Sequence, residues 1–233
     1  MKRLIALALM GACAAASAQP SDWTGGTGRE LAKLGDGTGR QIAEHQLRQK
    51  ALEVALEGMG DSAGVGDQIA TYLKEHDVAV GFAEQSELSK TSNGTITLSW
   101  KLPASPQAIG LRVAWEASAM MLSDMPVCAE RAYMRRSLTA RAFAEIGGDL
   151  QSLLDPQSAS GVRDEELAGQ LKMWFGAPYS SPLDPFATRF KSLLVLREEA
   201  RGNQALIKAC QRAEARFLQF RKDELIWLAT YPR

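Results

Sequence analysis

The residues able to do chemistry are few and poorly grouped. Gly60-Asp61-Ser62-Ala63-Gly64 spells G-x-S-x-G, the turn that presents a serine nucleophile in many hydrolases. That turn needs an apolar strand before the serine and a histidine late in the chain. Here the preceding residues repeat with a helical period, and the two histidines are His45 and His76. The segment therefore reads as a glycine-rich loop between helices. Both histidines lie beside acids, His45 next to Glu44 and His76 between Glu75 and Asp77, and read as solvated helix residues. No His/Cys cluster has zinc spacing, so neither a metal nor another cofactor is expected. Glu116, Glu130 and Glu145 read as surface charges on helices, and Trp174-Phe175 and Phe217 with Phe220 as core aromatics.

The 233 residues suffice for one sizeable core, and 45% hydrophobic with 23% charged is a globular composition. Lys+Arg and Asp+Glu are both 27, so no nucleic-acid footprint is suggested. Residues 1–18 read as an export signal. Lys2-Arg3 is its positive start, Leu4 to Ala16 its short apolar run, and Ala16-Ser17-Ala18 its A-x-A cleavage site. A second processing route stays open, because Met10-Gly11-Ala12-Cys13 resembles a bacterial lipobox with methionine where leucine is usual. Either route places the mature chain in the periplasm or outside the cell, and on a membrane only if Cys13 is lipidated. Cys128 and Cys210 then remain, and in an oxidising compartment such a pair is expected to form a disulfide.

The elements that must position these residues follow in order. Residues 19–37 are Gly-, Thr- and Ser-rich and read as a flexible arm before a single domain, 38–233. A first helix runs from about Gly39 to Glu57, with Ala43, Leu47, Ala51, Val54 and Ala55 sharing one face. Asp67 caps a short second helix that ends near His76. Val78, Val80 and Phe82 alternate, and Ile96, Leu98 and Trp100 alternate again after Asn93-Gly94, which predicts a hairpin or small antiparallel sheet. Ser105 with Pro106 opens a helix carrying Ile109, Val113, Ala117 and Met120 on one stripe. A further helix starts near Pro126 and stops at Gly147-Gly148. The rest is helical: Arg163 to Phe175, then a long pattern from Asp184-Pro185 through Leu228 that Gly202 splits.

At Leu111-Arg112-Val113-Ala114-Trp115-Glu116 the chain resembles an uncharacterised bacterial family of zinc metallopeptidases. Their active helix reads about H-E-L-R-H-A-W-Q, after a strand that ends a β-hairpin. Leu111, Arg112, Ala114 and Trp115 match its non-ligand letters, and Trp174-Phe175-Gly176-Ala177-Pro178 resembles a later stretch. Ile109 and Val113 stand where the resemblance puts the zinc histidines, and Gly110 where it puts the general-base glutamate. Thr139 and Arg141 replace downstream acids. The likeness implies the scaffold without the reaction: methyl groups in place of ligands and an arginine that repels a cation.

The expected fold is α+β and mostly helical, a small antiparallel sheet packed by about six helices, compatible with a zincin-like layout. The expected function is a non-catalytic, metallopeptidase-like envelope domain that binds a peptide or protein partner, in an inhibitor or immunity-type role. An envelope hydrolase with a hidden site and a lipid-tethered structural protein are the alternatives. In the first reading the strand Thr95 to Trp100 is an exposed edge, and Thr95, Thr97 and Ser99 turn outward to meet the partner.

Overall fold

The computed structural model describes residues 36–151, 165–175 and 182–230. The export signal, Cys13, almost all of the arm and the Gly176-Ala177-Pro178 stretch lie outside them. The chain divides into two units between Ile42 and Ala43, and the core lies within the second. The described elements are α1 (Asp36–Gly60), α2 (Val65–Glu75), β1 (Ala79–Ala83), β2 (Ser89–Ser92), β3 (Thr95–Ser99), α3 (Pro106–Met121), α4 (Ala129–Glu145), α5 (Glu165–Phe175), α6 (Asp184–Ala187), α7 (Leu193–Glu199) and α8 (Gln204–Thr230). The fold is α+β and mostly helical.

Helix α3 opens where the sequence says it should: Ser105 Oγ accepts from Ala108 N at 3.3 Å, and Pro106 fills the first turn. Helix α4 starts three residues later than Pro126. Its cap is Cys128, whose Sγ accepts from Arg131 N at 3.3 Å. It ends at Gly147, which takes a φ of 79° that a side chain would resist. These two helices are the spine. Ile109, Val113 and Ala117 of α3, with Met134, Leu138 and Ala142 of α4, face a cluster that includes Leu52, Met59, Ile69, Ile96 and Leu98. Leu111 of α3 and Tyr133, Ala140 and Phe143 of α4 face a second cluster with Leu167, Leu171, Trp174 and Phe186. A helix with apolar contacts on both sides reads as apolar nearly all round, which is why α3 shows no strong amphipathic stripe.

Two sequence expectations are overturned at the edges of this core. The inward face of α1 is Ala51, Leu52, Ala55 and Met59, whereas Leu47 and Val54 are exposed. The sheet is mixed, not antiparallel. Its order is β1-β3-β2, with β1 parallel to β3 (Val80 opposite Ile96) and β2 antiparallel to it (Lys90 opposite Thr97). The Asn93-Gly94 turn does form, with φ of 49° and 72°, but it joins β2 to β3. The strand Thr95–Ser99 is therefore central and offers no free edge. Ser99 is buried, its hydroxyl directed at Gln85 O, and Thr97 O accepts from Gln85 Nε2 at 3.0 Å. Pairing of a partner along this strand at Thr95, Thr97 and Ser99 is blocked because β2 and β1 occupy both flanks; on its faces, Thr95 and Thr97 are half-buried and Ser99 is buried.

This placement gives a first prediction. Thr97→Pro, in a central strand, removes a ladder donor and is expected to destabilise the chain by about 3 kcal/mol. Urea unfolding followed by circular dichroism checks it; a midpoint equal to the parent's would mean that β3 is not internal.

Candidate functional site

The three central-helix glutamates are not solvated surface charges. Glu116 is buried, and its carboxylate accepts from Ser89 Oγ at 2.7 Å and Thr91 Oγ1 at 2.9 Å, tying β2 to α3. Arg135 stands 3.9 Å from it and lies 3.6 Å over the Trp115 ring. Burial pulls the Arg135 pKa down to about 10, with Glu116 opposing the shift. Glu130 is buried and accepts from Leu193 N at 3.1 and 3.0 Å, fixing the start of α7. Glu145 accepts from Gly66 N at 2.7 Å and Ser62 Oγ at 3.2 Å. It thus puts a negative charge at the N-terminus of α2, where free amides and the helix dipole favour one. Ser62 Oγ also accepts from Asp67 N at 2.9 Å. The serine of the G-x-S-x-G stretch accepts an amide from the first turn of α2; the N-cap is Gly64, not Asp67, and that glycine leaves room for the Glu145 carboxylate.

The most concentrated polar site is Glu224, which has 0% exposure. Its carboxylate accepts from Tyr133 Oη at 2.7 Å and Trp174 Nε1 at 2.9 Å, and also from Ser137 Oγ and Arg221 Nη1. Helices α4, α5 and α8 each contribute. Burial, and then the Glu224 charge, push the Tyr133 phenol up, so its hydroxyl stays protonated and donates. A carboxylate ringed by four donors has few lone pairs left for a substrate proton. Its local role is to fasten α8 to the core. Sequence reasoning missed it, yet a signal was present: Glu224 falls on the Ala213, Phe217, Phe220 stripe of α8, where an acid on an apolar face demands partners.

The positions matched to the metallopeptidase helix form no cleft. Ile109 and Val113 both have 0% exposure and pack in the first core cluster. A Cβ at Gly110 would collide with Ile146 Cδ1 and lie 3.4 Å from Ala55 Cβ and Met59 Cε. Gly110 leaves room first for Ile146 and then for Ala55 and Met59. Thr139 is buried, and its Oγ1 donates back to Arg135 O at 2.8 Å. Arg141 is buried on the same helix but faces α8, with Phe220 and Trp227 rings 5.9 and 5.5 Å from its Cζ. The structure thus buries Ile109, Gly110 and Val113 in the core and leaves Arg141 beside α8. His45 is half-buried and stacks on Trp100 at 3.8 Å, while His76 is exposed at the end of α2. Among the described residues no three His, Cys, Asp or Glu side chains converge as metal ligands.

Cys128 and Cys210 are both buried free thiols, and among the described residues no cysteine pair can form a disulfide. The expected bridge is corrected: Cys128 caps α4 with its sulfur, and each thiol packs as a small apolar group. Burial, the largest influence, pushes Cys128 up to about 12 from 9.0. The stability from burying this neutral thiol is full below 9.0 and is lost as pH rises towards about 12. A thiol reagent at pH 8 is therefore expected to label both cysteines only after denaturant is added. Mass spectrometry of the native chain showing prompt double labelling, or a mass two hydrogens short, would contradict this.

No protein-family model matches this chain, and no curated protein or solved structure matches it.

Proposed function

We propose that the chain is an exported bacterial envelope protein that works by binding a peptide or protein partner and not by metal-dependent peptide cleavage. One observation carries the second half. The positions where the resemblance would put zinc ligands and general base are closed off: Ile109 and Val113 have 0% exposure in the first core cluster, and Gly110 lies against Ile146, Ala55 and Met59. A substrate carbonyl cannot reach them without opening the core. The first half is supported by Lys2-Arg3, the apolar run to Ala16 and the Ala16-Ser17-Ala18 site. With β3 internal, a partner strand would have to pair with an outer edge, β1 or β2, and the exposed Leu218, Leu225 and Ile226 of α8 offer apolar area elsewhere.

The experiment is expression of the full chain in a Gram-negative host, with fractionation, intact mass and a peptidase assay on the same preparation. Expected are a periplasmic chain starting at Gln19, or a lipidated one starting at Cys13, and no zinc-dependent cleavage of unfolded casein. A full-length cytoplasmic chain would sink the export reading, and zinc-dependent cleavage would sink the non-catalytic one.

A further inference from the structure

Among the buried charges of α4, Arg141 stands apart. Arg135 and Arg136 spend their N–H groups on carbonyls: Arg135 Nε on Trp115 O at 3.1 Å, Arg136 Nε on Gln170 O at 3.1 Å. Arg141 has 7% exposure, yet its guanidinium makes no hydrogen bond to any described residue, and its Nε is wholly enclosed. Its nearest company is aromatic, Phe220 and Trp227, both half-buried at the α4–α8 seam. Three acids lie near enough to act on it: Glu224, Glu145 and Asp223. All three are engaged elsewhere. Glu224 holds Tyr133, Ser137, Trp174 and Arg221. Glu145 holds Ser62 and Gly66, and Asp223 accepts from Gln219 Nε2 at 3.1 Å.

An enclosed Nε–H with no acceptor is costly unless one reaches it. The planar fork of arginine matches a carboxylate in two parallel hydrogen bonds. The two rings beside it suit an apolar body behind that carboxylate. The geometry points to Arg141 as the anchor of a binding site for a carboxylate carried on an apolar group, with Phe220 and Trp227 as its walls. Among the described residues, three acids and no second cation act on this guanidinium, so recognition comes from directed N–H groups and ring contact, not from a positive field. An inorganic anion gains little there. Two sources share this chemistry, the C-terminus of a peptide with an apolar last residue and a free fatty acid. The inference rests on the surroundings of Arg141 alone, and it holds wherever the chain resides.

The test titrates the full chain with N-acetylphenylalanine, its primary amide, decanoate and inorganic phosphate. Readouts are tryptophan fluorescence, since Trp227 adjoins the guanidinium, and the Nε–Hε resonance of Arg141 in nitrogen-15-labelled protein. Expected is saturable binding of a carboxylate that shifts the Arg141 resonance, with no shift from the amide or phosphate. N-acetylphenylalanine binding tighter than decanoate assigns the site to peptide C-termini, and the reverse to fatty acids. Arg141→Lys keeps the charge but loses the fork, and should weaken binding about tenfold to a hundredfold. Arg212→Lys, at an exposed position of α8, should change nothing. Equal binding of acid and amide, or an Arg141 resonance unmoved at saturation, overturns the proposal. The resonance is read in the parent chain, so the test decides the matter even if Arg141→Lys fails to fold.

Discussion

Glu224→Ala is expected to cost about 3–5 kcal/mol of folding stability, a large share of what a domain this size has. The substitution removes one acceptor and leaves four donors, Tyr133, Ser137, Trp174 and Arg221, without it. The nearly buried Arg221 guanidinium also loses its ion pair with Glu224. Glu224→Gln keeps an acceptor oxygen but swaps the other for a donor, so it should cost about half as much. Urea unfolding followed by tryptophan fluorescence and by circular dichroism measures both. A loss below about 1 kcal/mol for the alanine variant would show that Glu224 does not fasten α8.

The second large effect comes from writing the zinc motif into α3. The triple variant Ile109→His, Gly110→Glu, Val113→His is expected to unfold the domain and not to bind zinc. Ile109 and Val113 are fully enclosed by apolar side chains, so each imidazole would be buried without a partner. The loss of apolar burial alone is about 1.5–3 kcal/mol per residue. The side chain introduced by Gly110→Glu would have to pass through Ile146 and lodge between Ala55 and Met59. Together these costs exceed about 6 kcal/mol, within reach of total stability. Circular dichroism and elemental analysis of the purified variant decide it. A folded chain with about one zinc would mean that the core around Ile109 and Val113 opens easily and that the peptidase likeness reaches the site geometry.

The local signals in the sequence were legible where a single residue type enforces a single conformation. Ser105-Pro106 opened α3, Asn93-Gly94 turned the hairpin and Gly147 stopped α4. Sheet order was not legible because β2 is Ser89-Lys90-Thr91-Ser92, with no apolar alternation to announce it. Once β2 was missed, β3 looked like an edge. The pairing of β1 with β3 joins segments that no local rule relates. The polar sites were hidden for a related reason. A helix glutamate is usually solvated, and what buries Glu224 lies up to 91 residues away, at Tyr133. The cysteine count suggested a bridge, but a count carries no distance, and Cys128 serves instead as a helix cap.

The fastening of α8 by Glu224 also has a bearing on when the domain can fold. Residues 204–230 are made after Tyr133, Ser137 and Trp174, three of the donors that Glu224 serves. Until Glu224 arrives, Tyr133, Ser137 and Trp174 have no acceptor, and the second core cluster lacks Phe217, Phe220 and Trp227. The spine of α3 and α4 can collapse early, but it cannot lock. A chain still emerging from the ribosome lacks that acceptor, and the lock closes only once Glu224 has been made and α8 has docked.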